Sequence, residues 1–137
     1  MKFNVIIRTP TINEYNELRL AVDWPTFDEG MVECGLANSL YSVVVEGEGK
    51  AVGMGRILGD NAIYFHIQDV IVRPEFQGQG LGKIIMDELL DYIDSKGGQN
   101  SNIGLMCSKG REPFYRTFGF IDRPNDTFGS GMIMIMQ

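Results

Sequence analysis

One stretch limits the fold more than any other: AIYFHIQDVIVRPEFQGQGLGKIIMDELLDYI, residues 62–93. Its first eleven residues, 62–72, are apolar and β-branched enough for a strand. Pro74 ends that strand, because proline cannot donate to a ladder. From Leu81 the period changes. Leu81, Ile84, Ile85, Leu89, Tyr92 and Ile93 fall at helical spacings, and SKGG stops the helix. NIGLMC then reads as another strand. A strand, a helix and a strand in this order imply a parallel pair joined by a right-handed crossover.

The rest of the chain builds around that unit. FNVIIR (residues 3–8) is a strand candidate. Thr11 and Glu14 have the spacing of a capping box for a helix that runs to about Val22, with Ile12, Tyr15, Leu18 and Leu20 as its apolar set. Asp28 or Thr26 caps a second helix carrying Met31, Val32, Leu36 and Leu40. Two β-branched runs flank EGEGK, a hairpin by its glycines. A short helix opens at Glu112 and Pro113 and ends at Gly119. GMIMIM is apolar at nearly every position, as a strand buried on both faces would be. One more strand is expected near Phe120. The fold class expected is therefore mixed α/β, with α+β character. Its central sheet would have about six or seven strands and helices on both faces.

Composition narrows the functions. A chain of 137 residues with 44% hydrophobic and 22% charged residues is expected to form a single domain over residues 1–137. A net charge of −6 argues against nucleic-acid partners, which need a basic footprint. No segment reaches the ~18 apolar residues of a membrane helix. The first apolar run is too short for a signal peptide and is interrupted by Arg8. Cys34 and Cys107 lie far apart with no metal spacing, so no metal site is expected. The thiols read as reduced and the location as cytoplasmic.

The glycine-rich turn QGQGLGK fails two nucleotide motifs. A P-loop would need glycine at Gln77 and Ser or Thr at Ile84; a dinucleotide fingerprint would need glycine at Lys83. The physical logic of an anion site survives. A helix N-terminus carries about four unpaired N–H groups and a partial positive charge, and glycines let a phosphate come close. A tight turn with no ligand is the plainer alternative.

The segment Gln77-Gly78-Gln79-Gly80-Leu81-Gly82 fills every fixed position of Q/R-x-x-G-x-G/A, and so resembles the defining motif of the GCN5-related N-acetyltransferases. DVIVRPEFQ is similar to that family's fourth strand and the turn after it. PFYRTFGF (residues 113–120) is similar to its late helix. The likeness covers essentially the whole chain in element order. It implies acetyl-coenzyme A as cofactor and a splayed pair of parallel strands. It implies transfer of acetyl to a primary amine of a small molecule by direct attack.

Residue by residue, the resemblance implies that Gln77, Gly78, Gln79, Gly80, Leu81 and Gly82 hold the pyrophosphate, with Lys83 as an extra charge. Main chain at Val70, Ile71 and Val72 would pair with the pantetheine arm, and an amide near Ile71 or Val72 would face the thioester carbonyl. Tyr115 matches the usual general acid. His66 is the candidate base: histidine's ordinary pKa suits the task, and a base histidine occupies that part of the strand in the arylalkylamine branch. A histidine that merely bonds to solvent or backbone is the competing reading. Gln68 and Asp69 lie nearby. Cys107 as a nucleophile lacks a base partner in the sequence, so direct transfer is preferred. Lys109 and Arg111 are candidates for the 3′-phosphate, and Ser108 stands where some members carry asparagine. Two readings remain beside the leading one: a non-catalytic coenzyme A sensor or interaction module, and an acetyltransferase acting on protein amines. Dimers are common in the family, and MIMIM could serve a core or a homodimer interface.

Overall fold

In the computed structural model, which describes residues 2–137, the chain divides into two compact units. The larger ends at Gly104 and the smaller spans Leu105–Gln137. The larger unit holds β1 (Phe3–Ile7), α1 (Ile12–Ala21), α2 (Glu29–Ala37), β2 (Tyr41–Gly47), β3 (Lys50–Gly59), β4 (Tyr64–Val72), α3 (Leu81–Lys96) and β5 (Asn102–Gly104). A 3-10 turn at Pro74–Phe76 stands between β4 and the glycines. The smaller unit holds α4 (Glu112–Arg116).

The sheet runs β1-β2-β3-β4-β5 in spatial order, antiparallel except for the β4–β5 pair. Mixed α/β architecture and the parallel pair are as the sequence implies. The strand count among the described residues is lower than expected, five rather than six or seven. Residues 132–136 of GMIMIM form no strand, and their side chains are 72% to 94% exposed. No strand forms near Phe120. An apolar run becomes a strand only against a free edge, and the smaller unit has no strand to offer one. NIGLMC is likewise shorter than expected, ending as a strand at Gly104.

Both faces of the sheet are covered. Tyr15 and Leu18 of α1 and Val32 and Leu36 of α2 pack with Val44, Met54 and Ile71. On the other face, a methyl group at Gly55 would meet Ile85 at 2.7 Å and Leu89 at 3.1 Å. Glycine is required there because α3 lies so close to β3. Residues 54 and 55 point to opposite faces, so α1 and α2 cover one side and α3 the other.

Local signals work where they are self-contained. Glu48 and Gly49, at φ 53° and 75°, make the two-residue turn between β2 and β3. Thr11 Oγ1 accepts from the Glu14 amide at 3.1 Å, and Glu14 Oε1 accepts from the Thr11 amide at 2.8 Å. Glu14 also pairs with Arg8 through two bonds of 2.8 and 2.9 Å. The Arg8 guanidinium, helped by the Thr11 amide, lowers the Glu14 pKa from 4.5 to about 2. A carboxylate whose pKa falls on folding adds stability above its unfolded pKa and loses it as pH drops through the folded value. Glu14→Gln should therefore lower stability by about 1–2 kcal/mol at pH 7. Urea titrations should show the gap to wild type closing as pH falls from 4.5 to about 2; a constant gap would contradict the account.

Candidate functional site

The centre of the larger unit is a bulge in β4. Met54 pairs with Ile71 and Arg56 with Gln68, so Gly55 alone stands opposite both Asp69 and Val70. Asp69 takes φ +58°, a left-handed conformation that aspartate tolerates better than most residues. Successive strand residues normally point to opposite faces. The extra residue suspends that rule. Asp69 joins Gln68 on the face that carries α1 and α2, whereas Val70 turns toward α3, 3.5 Å from where a Gly55 methyl would lie.

The Asp69 carboxylate is buried and receives four donors. Tyr15 Oη donates to Oδ2 at 2.7 Å and Arg56 Nε to Oδ2 at 2.8 Å. Arg19 Nη1 donates to Oδ1 at 2.9 Å and Gln68 Nε2 to Oδ1 at 3.4 Å. Burial, and then the Asp69 charge, push the Tyr15 phenol up, so it stays a donor. Arg19 also lies over the rings of Phe27, Trp24 and Tyr15, at 4.7, 5.3 and 5.8 Å. Arg56 Nη1 reaches the Gly35 carbonyl of α2 and Ser39 Oγ. Beside this cluster is a cleft of about 190 Å³ lined by Tyr15, Phe27, Met31, Val32, Leu36 and Arg56.

Beyond His66, three residues before the bulge, β4 loses its neighbour. The β4–β5 pairing runs only from Tyr64–Asn102 to His66–Gly104, and residues 67–72 have no strand partner on that edge. The Ile71 carbonyl faces β3, since a methyl at Gly53 would lie 3.1 Å from it. Backbone groups alternate between the two edges of a strand. Val70 and Val72 therefore present theirs to the open edge, and Ile71 does not. His66 is half-buried on β4, with Nε2 3.1 Å from Gln68 Oε1.

The glycine-rich turn follows directly. Gly78 and Gly80 take φ +79° and +83°, and a methyl at either would meet nothing within 4 Å. The glycines are needed for backbone conformation, and the space before them is open. Gly80 caps α3, whose first turn carries no acidic residue. The leading amides of the helix lack intrahelical acceptors. This fits an anion, and the open edge of β4 fits an extended arm beside it. Gln77 braces the turn instead of standing free: its Nε2 donates to the Val72 carbonyl at 2.9 Å. Leu81 is buried, and Lys83 pairs with Asp87 at 2.7 Å on the exposed side of the helix. The larger unit thus brings Val70, Val72 and the turn from Gln77 to Lys83 together, and separately joins His66 to Gln68 and Asp69.

Tyr115 and Cys107 belong to the smaller unit. Tyr115 sits on α4 with its ring edge-on to Phe114 at 5.0 Å and Phe120 at 6.1 Å. Burial, then the nearby Cys107, raise its pKa, so the phenol holds its proton. Cys107 Sγ donates to the Ser108 carbonyl at 3.1 Å and to Glu112 Oε1 at 3.4 Å. Burial and the Glu112 carboxylate push the thiol up as well. A thiol held protonated beside an anion is a poor nucleophile. Iodoacetamide at pH 7 should alkylate Cys107 several-fold more slowly than exposed Cys34, read by mass spectrometry of the intact folded protein. Faster labelling of Cys107 would show that the thiolate is favoured.

Three acidic residues in and beside α1 and α2 have structural partners. Glu14 holds Arg8, Glu17 lies 3.6 Å from Arg73, and Asp28 caps α2 through the Met31 amide. The sequence reading passed over Tyr15, Arg19 and Arg56 as site residues. The run HIQDVIV was the one available signal, because a charged residue interrupts a strand that is otherwise buried.

Comparison with known proteins bears on this arrangement. Residues 24–136 match the family model described as an acetyltransferase (GNAT) domain. The chain is 32% identical over 128 residues to the chloroplastic GCN5-related N-acetyltransferase 1 of Arabidopsis thaliana, covering 92% of this chain and 63% of that protein. It thus spans less than two thirds of that relative's length. Among solved structures, a protein of unknown function from meticillin-resistant Staphylococcus aureus is similar at TM-score 0.91 and 29% identity, covering 99% of this chain and 100% of that one. A GNAT family protein from Streptococcus pneumoniae is similar at TM-score 0.82 and 25% identity, with 99% of each chain covered.

Proposed function

We propose that this chain, which belongs to the GNAT acetyltransferase family, is an acetyl-coenzyme A-dependent N-acetyltransferase acting on the primary amine of a small molecule. The observation that carries the reading is the pairing of an open, left-handed glycine turn at the N-terminus of α3 with the unpaired edge of β4. The amides from Gly78 to Lys83 would hold the pyrophosphate. The backbone groups of Val70 and the amide of Val72, whose carbonyl is held by Gln77, would take the pantetheine arm. When bound, acetyl-coenzyme A supplies an acyl group activated as a thioester.

The chain's own residues then handle protons. An amine at neutral pH arrives as ammonium and must shed a proton before its nitrogen attacks; His66 takes it. As the C–N bond forms and the C–S bond breaks, Tyr115, which matches the family's usual general acid and holds its proton at neutral pH, would supply a proton to the departing sulfur. The nitrogen releases its second proton, which restores the phenol through solvent. Cys107 remains a thiol, which supports direct attack over an acyl-cysteine route.

For the acceptor, the cleft beside α1 and α2 supports a small amine with an apolar body. A cavity of 150 Å³ holds a benzene ring, and this one is about 190 Å³. Apart from Arg56 its lining is uncharged, which disfavours a polycation there. We take residues 1–137 to act as one acetyltransferase domain in the cytoplasm, which suits two unpaired thiols. A homodimer is part of the reading, supported by the exposed apolar run at residues 132–136.

Coenzyme A release across a panel of small amines and short peptides tests the reaction. Turnover on a small amine is expected, with kcat falling about 10²-fold in Tyr115→Phe while acetyl-coenzyme A affinity holds. Turnover on peptides alone would move the acceptor to protein amines. Tight binding without turnover on any acceptor would favour a sensor. Gly80→Glu should abolish binding in calorimetry, because it sets a carboxylate against phosphate; unchanged affinity would remove the turn from the cofactor site.

A further inference from the structure

We infer that Gln68 is a positioning residue that fixes the tautomer of His66, leaving Nδ1 as the nitrogen that accepts the amine proton. The inference rests on the acetyltransferase reading for its purpose, but the tautomer follows from the hydrogen bonds themselves.

The chain of reasoning starts at Asp69. Its carboxylate already takes Tyr15, Arg19 and Arg56, and a carboxylate so placed can only accept. The Gln68 amide atom 3.4 Å from Oδ1 must therefore be the NH₂ group. That orients the amide, since a flipped Gln68 would set oxygen against oxygen. The opposite end, Oε1, then faces His66 Nε2 at 3.1 Å. An amide oxygen only accepts, so Nε2 must carry hydrogen. In a neutral imidazole one nitrogen donates and the other accepts. Nδ1 is left with its lone pair.

Nδ1 also points the useful way. A methyl group at Gly104 would lie 3.9 Å from it. Gly104 is the last residue of β5 and the last paired with β4, so Nδ1 faces the point where the two strands part. The charged and titratable groups around this row are Asp69 on β4, Arg56 on β3 and Arg19 and Tyr15 on α1. β5 contributes none. The bulge makes the relay: only because Asp69 shares a face with Gln68 can consecutive residues of one strand be linked in this way.

His66 is the single histidine of the chain, so its ring can be read directly. With ¹⁵N-labelled histidine, long-range ¹H–¹⁵N correlation at alkaline pH should show hydrogen on Nε2 and a bare Nδ1. Gln68→Leu should lose that preference and give a mixture of tautomers, with kcat falling about tenfold and KM for acetyl-coenzyme A unchanged. Gln68→Asn keeps the amide but is one methylene too short to bridge Nε2 and Asp69, and should give the same mixture. Backbone spectra of each variant report folding. Hydrogen on Nδ1 in the wild type, or an undiminished Nε2–H signal in Gln68→Leu, would overturn the assignment. An Nε2–H tautomer lost in Gln68→Leu, in a protein that acetylates nothing, would uphold the relay and remove only the reaction assigned to it.

Discussion

A buried carboxylate with four donors is an anchor that cannot be half built. Removing one partner of a buried ion pair commonly costs about 3–5 kcal/mol, because the remaining charge is stranded. Asp69 ties α1, through Tyr15 and Arg19, to β3, through Arg56, and holds both against β4. Arg56 extends the tie to α2. These bonds hold a non-glycine residue in a left-handed conformation inside a strand, a position worth about 1–3 kcal/mol of strain. The bulge and the charge cluster depend on each other. Without the bulge, Asp69 would point at the apolar side under α3; without the donors, the bulge would have no reason to persist.

Two consequences reach the site. The edge of β4 is unpaired from residue 67 onward, and the bulge sets which residues face it there: Val70 and Val72 turn their backbone groups toward it. Before the bulge, His66, Gln68 and Asp69 form a hydrogen-bonded row. The glycine turn is then fixed at the end of the same strand by the bond from Gln77 to the Val72 carbonyl. That bond gives the glutamine of the motif a physical task distinct from touching phosphate. It sets where α3 begins. Gly55 lets α3 pack tightly on β3, so the helix that presents the glycine turn is seated on the sheet.

Features with local causes were legible in the sequence. The Thr11–Glu14 cap, the hairpin at EGEGK, the break at Pro74 and the start of α3 each depend on a few neighbouring residues and each forms as read, and of the two cap candidates for α2 the structure uses Asp28. The strand, helix and strand that end at Cys107 carried the parallel pair, and the hairpins carried the antiparallel remainder of the mixed sheet. Features that depend on distant partners were not legible. The alternation in HIQDVIV conceals the bulge, because the donors that hold Asp69 come from positions 15, 19 and 56. Nothing in the sequence pairs Glu14 with Arg8 or Glu17 with Arg73, yet the fold brings each pair together. The run MIMIM has the composition of a buried strand and none of the pairing, since composition cannot supply an edge.

The central claim is that the bulged β4 and the glycine turn after it form one surface for coenzyme A. Titrating coenzyme A into ¹⁵N-labelled protein and following the backbone amides tests it most directly. The account predicts that the largest shifts fall at residues 78–83 and at Val70 and Val72, with Ile71, whose backbone faces β3, moving less. Saturable binding with its largest shifts elsewhere, or no binding at millimolar coenzyme A, would contradict it.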